Sequence, residues 1–223
     1  MNPILTELAQ RHVTLAPLCP QIDEVATQVC DSQRAGGTLF LCGNGGSACD
    51  ADHIAAELLK SFGVQRPLVA EEIACFAGLP DAQLLTNRLE RGARAVSLHH
   101  PASLLTAVAN DIDASLCFAQ SLWALARRGD VLLAITTSGN SQNVLLAAQT
   151  ARAIGLCVVG LTGEKECKLD ALCDLKLKVP ERETFKVQEL HLPLYHALCL
   201  LIEQRLFGEG IIEPDNLPKA LAP

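Results

Sequence analysis

Five short apolar runs recur along the chain: Thr38–Cys42, Ala95–Leu98, Val131–Thr136, Cys157–Leu161 and Leu175–Val179. A strand in a parallel sheet covered on both faces has no solvent side, so it reads as such a run rather than as an alternation. Amphipathic stretches follow several of the runs. Ser141–Gly155, "SQNVLLAAQTARAIG", carries apolar residues at i, i+3, i+4 and i+7 and closes with glycine, as a helix does. This alternation predicts an α/β fold, a three-layer αβα sandwich around a five-stranded parallel sheet. Residues 2–18 and 21–34 read as two N-terminal helices separated by "CPQ", and Thr184–Leu206 as a long last helix. The expected organisation is N-terminal helices over 1–36 and a sheet domain over 37–223, together one structural domain.

One region departs from the scheme. Residues 63–94 are too many for a plain helix-to-strand loop and contain Pro67, Gly78-Leu79-Pro80 and an amphipathic piece, Asp81–Arg91. A helical insertion is expected there, either a lid or oligomer contact beside the site or a decoration without a role.

Composition removes several function classes. The formal net charge is −7 with both signs interspersed, which disfavours a nucleic-acid-binding surface. No apolar run reaching about 18 residues is visible, and no basic segment followed by an apolar core opens the chain; neither a membrane span nor a signal peptide is expected, and the expected location is cytoplasmic. Of ten cysteines, Cys42, Cys117, Cys157 and Cys199 lie inside apolar runs and none forms C-x-x-C, so buried reduced thiols are expected rather than disulfides or a zinc cluster.

Two stretches between a strand and a helix carry chemistry. Gly43-Asn44-Gly45-Gly46-Ser47 offers positive φ, close backbone approach and helix-start amides that attract anions. It matches neither the dinucleotide fingerprint, whose third glycine would be at Ala48, nor the Gly-Lys-Ser/Thr phosphate loop; a tight turn without a ligand remains an equal alternative. The second, "ITTSGNSQNV", gathers the hydroxyls of Thr136, Thr137, Ser138 and Ser141 around one glycine. Such a nest can hold a phosphate through directed hydrogen bonds and the helix dipole. Simple N-capping by Ser138 or Ser141 would account for one hydroxyl of the four.

His53 and Glu57, four residues apart, share a helix face. Gln188 and His196, eight apart in an otherwise apolar stretch, also point roughly together, and buried polar groups are costly unless paired. His191, between them, reads as a hydrogen-bonded core histidine.

With these residues in view, the chain resembles the sugar isomerase (SIS) superfamily, and within it the phosphoheptose isomerases. The anchors are "CGNGGSACDADHIAAEL", "LLTAVANDI", "GDVLLAITTSGNSQNVLLAA" and "VQELHLPLYH", spread from about Gly37 to Leu206. The resemblance implies a SIS-type, flavodoxin-like sheet and a homotetramer with active sites at subunit interfaces. It implies isomerisation of sedoheptulose 7-phosphate to D-glycero-D-manno-heptose 7-phosphate through a cis-enediol. Asn44, Gly45, Gly46, Asn110, Asp111 and Gln188 would hold the sugar, with Ser47 assisting. Thr136, Thr137, Ser138 and Ser141 would hold the phosphate. Glu57 and His196 would be the acid/base pair, and His53, Glu57, Gln188 and His196 would bind one zinc per subunit.

The chemistry agrees with that assignment. Moving a proton between C1 and C2 needs a base, a partner acid and stabilised enediolate oxygens. Two imidazoles, a carboxylate and an amide oxygen form a plausible zinc shell. The departures surround the sugar: a longer excursion, Ser61 for an expected Arg with Lys60 adjacent, His99-His100 for a Thr-Asp pair, Phe185 for an Asp, and Pro193 inside the last helix, where it should free the Glu189 carbonyl and kink the helix. The alternatives are an isomerase of another sugar phosphate and a non-catalytic SIS regulator or sugar-phosphate-binding protein.

Overall fold

The computed structural model describes residues 1–208. Its strands are β1 (Leu39–Cys42), β2 (Ala95–Ser97), β3 (Val131–Ile135), β4 (Cys157–Gly163) and β5 (Leu175–Val179). They form one sheet in the order β2-β1-β3-β4-β5, and every pairing is parallel. The helices are α1 (Pro3–Arg11), α2 (Cys19–Arg34), α3 (Gly46–Leu59), α4 (Ala70–Ala74), α5 (Ala82–Arg88), α6 (Ala102–Val108), α7 (Cys117–Leu125), α8 (Gln142–Ile154) and α9 (Thr184–Phe207).

The apolar runs behave as a doubly covered sheet requires. All five residues of β3 are buried. Alternate side chains serve opposite layers: Val131, Leu133 and Ile135 pack with α1, α2, α3 and α9, while Leu132 and Ala134 pack with α6, α7 and α8. The second cluster includes Val144, Ala147, Ala148 and Ala151, the apolar face foreseen for α8. α9 is apolar on most sides because it is wedged between α1, α2, α3 and the sheet.

Several boundaries differ from expectation. The first N-terminal break falls at His12, and a 3₁₀ turn, Val13–Leu18, runs directly into α2. Pro20 opens α2, where a missing N–H costs nothing, so "CPQ" is a helix start rather than a spacer. α9 passes through Pro193 as one assigned helix. The 63–94 excursion contains the short helices α4 and α5, with an isolated antiparallel bridge between Pro67 and Glu90 closing its base. The segment Ala102–Leu125 does reach the length and hydropathy of a membrane span, mean hydropathy 1.2, contrary to the sequence expectation. A π-helical turn, Ala109–Asp113, and a 3₁₀ turn, Ala114–Leu116, divide it, and Val108, Phe118 and Leu122 enter the core. All ten cysteines are free; Cys42, Cys117 and Cys199 are buried as foreseen, but Cys157 is only half-buried.

Strand order fixes where a ligand can enter. β1 is the first strand laid down, β2 joins one side of it and β3 the other, so the connections after β1 and β3 diverge to opposite faces. The crevice between those two loops is the topological switch point, where parallel α/β sheets bind their ligands.

Candidate active site

Both chemistry-bearing loops lie at that crevice. The first turns from β1 into α3 with Gly45 at φ +56°, a conformation that favours glycine. A Cβ on Gly46 would collide with the Gln188 side-chain amide, so this glycine lets α9 approach the loop. No side chain caps α3. The second loop turns from β3 into α8. Its Thr136 and Ser141 hydroxyls are 3.2 Å apart, and Gly139 takes φ +65° against the Cys167 side chain.

The N-capping alternative fails here. Ser141 makes no side-chain cap bond to α8, and the Ser138 hydroxyl accepts from the Asn140 amide instead (3.2 Å). The start of α8 is therefore left without a side-chain cap. Asn143, which sequence reasoning passed over, joins the two loops: its amide and that of Asn44 exchange two hydrogen bonds of 2.8 Å.

α3 and α9 bring the expected acid/base pair near one another within one chain, through His53. His53 and His196 rings meet edge to face, with centroids 5.1 Å apart. His53 Nε2 lies 3.1 Å from Glu57 Oε1, and Lys60 Nζ donates to Glu57 Oε2 at 3.1 Å. Lys60 thus places a cation on the carboxylate where the usual Arg is absent. Ser61 instead binds Glu90 of the excursion through its amide and hydroxyl (2.9 and 2.8 Å).

Electrostatics divide the pair. Burial opposes ionisation of Glu57, whose side chain is only 15% exposed, but Lys60 and His53 prevail and hold its carboxyl below the ordinary value. Burial, reinforced by His53, pushes the His196 imidazole down despite Glu57. A carboxylate beside a neutral imidazole is a base next to a group able to accept or donate a proton.

His196 Nε2 is buried without a hydrogen-bond partner. Together with His53, Glu57 and Gln188 it offers the N and O donors that zinc accepts, so the donor chemistry fits the ion. Among the described residues, however, no three His, Cys, Asp or Glu side chains are grouped about one point. His196 also opens onto a separate cavity of about 300 Å³ between α1 and α9, whose walls include Glu7, Arg11 and Glu189 but none of the loop residues.

Other expectations fare differently. Asn110 and Asp111 are exposed on the π-helical turn and hydrogen-bond each other (2.7 Å), not the other candidates. Ser47 is buried behind the first loop. His191 is buried, but neither ring nitrogen has a well-formed hydrogen bond, although the ring faces the Thr162 backbone; burial pushes its pKa down to about 4. The His99 substitution has a structural consequence: Nε2 reaches the Gly43 carbonyl at 2.8 Å and Nδ1 the Ser97 hydroxyl at 2.8 Å, bracing the first loop.

Sequence and structure comparisons give the same result. A family model described as SIS domain matches residues 11–95 and 82–163. The phosphoheptose isomerase of Helicobacter hepaticus is 39% identical over 202 residues, 91% of this chain and 89% of that protein. The phosphoheptose isomerase of Rhodospirillum rubrum is 41% identical over 198 residues, covering 89% and 93%. The structure of phosphoheptose isomerase GmhA from Neisseria gonorrhoeae superposes with a TM-score of 0.70 at 31% identity, covering 90% of this chain and 93% of that one. Given a parallel sheet with its loops meeting at the switch point, and relatives this similar along nearly their whole length, the chain belongs to the phosphoheptose isomerase family of SIS-domain proteins.

Proposed function

We propose that this enzyme converts sedoheptulose 7-phosphate to D-glycero-D-manno-heptose 7-phosphate, an aldose–ketose isomerisation. The observation that carries the reading is that α3, the helix that begins at the first loop, sets the Glu57 carboxylate on His53, whose ring packs on His196 of α9.

The phosphate docks on Thr136, Thr137, Ser138 and Ser141, whose hydroxyls are directed hydrogen-bond donors at the uncapped start of α8. Asn44, Gly45, Gly46 and Gln188 receive the sugar, and the Asn44–Asn143 pair sets the spacing between its two ends. Glu57 removes a proton from C1 and returns it to C2. His196 moves the accompanying proton between O1 and O2, so charge on the enediolate oxygens is neutralised as it develops.

A zinc ion, one per subunit, is part of this reading; His53, Glu57, Gln188 and His196 would hold it, and when bound it polarises the substrate oxygens. The partnerless His196 Nε2 supports that assignment. The protein is read as a cytoplasmic homotetramer in which a neighbouring copy brings Asn110 and Asp111 to the sugar. Exposure of Ile112 (61%) and Trp123 (65%) on the α6–α7 segment supports a subunit contact there.

A panel of ketose phosphates of five to seven carbons, incubated with and without zinc and followed for aldose formation, tests the reading. Turnover of the seven-carbon substrate is expected. Preference for a shorter sugar would select an isomerase of another phosphosugar, and binding across the panel without turnover would select a regulator.

A further inference from the structure

His99 is the second residue after β2, and the reaction as described gives it no role. Its side chain is only 13% exposed, and its ring packs edge to face on Phe118 of α7, with centroids 5.1 Å apart. Nε2 lies 2.8 Å from the Gly43 carbonyl oxygen. Nδ1 lies 2.8 Å from the Ser97 hydroxyl, which also meets the Asp52 carboxylate of α3. The ring is therefore held from β2, α3 and α7 against the first residue of the β1–α3 loop.

A carbonyl oxygen only accepts, so Nε2 carries the hydrogen of that contact whichever neighbour the Ser97 hydrogen goes to. Gly43 is buried, whereas Asn44, Gly45 and Gly46 are exposed. Among the described residues, His99 is the one side chain that donates to the Gly43 carbonyl. A buried carbonyl left without a donor is costly.

The Gly43–Asn44 peptide is trans and planar, so its C=O and N–H point in opposite directions. Holding the carbonyl inward on His99 turns the Asn44 N–H outward, to the exposed side of the loop. That N–H has no acceptor among the described residues. With glycine on its leading side the peptide can turn over easily, so the donor, and not steric restraint, decides which way it faces.

We propose that His99 is a positioning residue: by donating from Nε2 to the Gly43 carbonyl, it holds the Gly43–Asn44 peptide in the orientation that presents the Asn44 N–H to an oxygen of the sugar. The proposal rests on the isomerase reading for the identity of that ligand, but not for the orientation of the peptide.

The test compares the full-length protein with two variants. His99→Phe keeps a ring against Phe118 but has no donor, and His99→Gln returns an amide NH₂ close to the position of Nε2. Crystal structures without ligand should show the Gly43 carbonyl facing residue 99 in wild type and in His99→Gln, and turned toward solvent in His99→Phe. With sedoheptulose 7-phosphate as the probe, KM should rise roughly 3- to 10-fold in His99→Phe with kcat little changed, the loss of one hydrogen bond, and should recover in His99→Gln. Should His99→Phe fail to fold, Ser97→Ala frees the ring on its Nδ1 side and should raise KM in the same direction with the Gly43 carbonyl displaced. The proposal is overturned by a Gly43 carbonyl that keeps its wild-type direction in the variant, by an unchanged KM, or by a His99→Gln as impaired as His99→Phe. If wild type turns over no sugar phosphate, the isomerase reading fails, and the direction of the Gly43 carbonyl alone decides the proposal.

Discussion

Replacing Glu203 by glutamine probes what holds the end of α3, and with it Glu57, in place. Glu203 and Arg66 are both buried, with side chains 2% and 0% exposed. Oε1 accepts from Arg66 Nε (2.7 Å) and the Phe62 amide (2.8 Å), and Oε2 accepts from the Gly63 and Val64 amides (2.7 and 3.2 Å). Arg66 in turn donates to the Leu58 and Glu57 carbonyls (2.7 and 3.1 Å), which the end of α3 leaves without helical partners. Glutamine keeps the shape but turns an NH₂ toward N–H donors, and it leaves the guanidinium buried without its counter-charge. Breaking one side of a buried pair costs about 3–5 kcal/mol. For a chain of this size, at about 2–4 °C per kcal/mol, melting should fall by roughly 6–20 °C. Circular dichroism melts at one fixed protein concentration measure this. The double variant Arg66→Met/Glu203→Leu should recover much of the loss, because apolar groups of similar volume need no counter-charge. Below the melt, Glu203→Gln should also lower kcat by about tenfold or more through displacement of Glu57. A melt within a degree or two of wild type, or a double variant as damaged as the two singles summed, refutes the reasoning.

Ser138→Ala should raise KM for the sugar phosphate by roughly 10- to 100-fold with kcat little changed, the loss of one hydrogen bond to a charged group; steady-state kinetics reads this. Asn143→Ala should raise KM about fivefold by freeing Asn44, without touching the phosphate hydroxyls. His191 makes stability depend on pH. Its folded pKa of about 4 lies below the ordinary histidine value, so between the two the unfolded chain binds a proton that the folded chain refuses. Stability therefore falls as pH drops through about 6.5 toward 4, by roughly 3 kcal/mol in all. Urea titrations across that window should show the slope in wild type and not in His191→Met.

The sheet was legible because burial on both faces leaves a direct trace in residue type: the β3 and β5 runs were each placed within a residue of their ends. Helix punctuation was less legible. Pro20 and Pro193 were both read as interruptions, yet one opens α2 and the other is carried inside α9. The candidate acid/base residues could be singled out because a carboxylate and imidazoles at helical spacing stand out in apolar surroundings, while their expected roles came from the resemblance. Their supports could not. Asn143 matters only because β1 and β3 are neighbours, and Arg66 only because the excursion folds beneath the end of α3. Tyr195 in "LPLYHAL" has the spacing of an ordinary core residue; its hydroxyl meets His53 Nδ1 only because α3 lies alongside. Asn110 and Asp111 were named through resemblance, and one chain leaves them exposed, away from the other candidates.

The most direct test follows solvent hydrogen. The enzyme is incubated with sedoheptulose 7-phosphate in deuterated water, and the aldose product is examined at C2 by NMR. Wild type should form the aldose with deuterium at C2, because the proton held by Glu57 exchanges with solvent, while Glu57→Gln should bind the sugar phosphate and form no product. Undiminished aldose formation by Glu57→Gln would contradict the account.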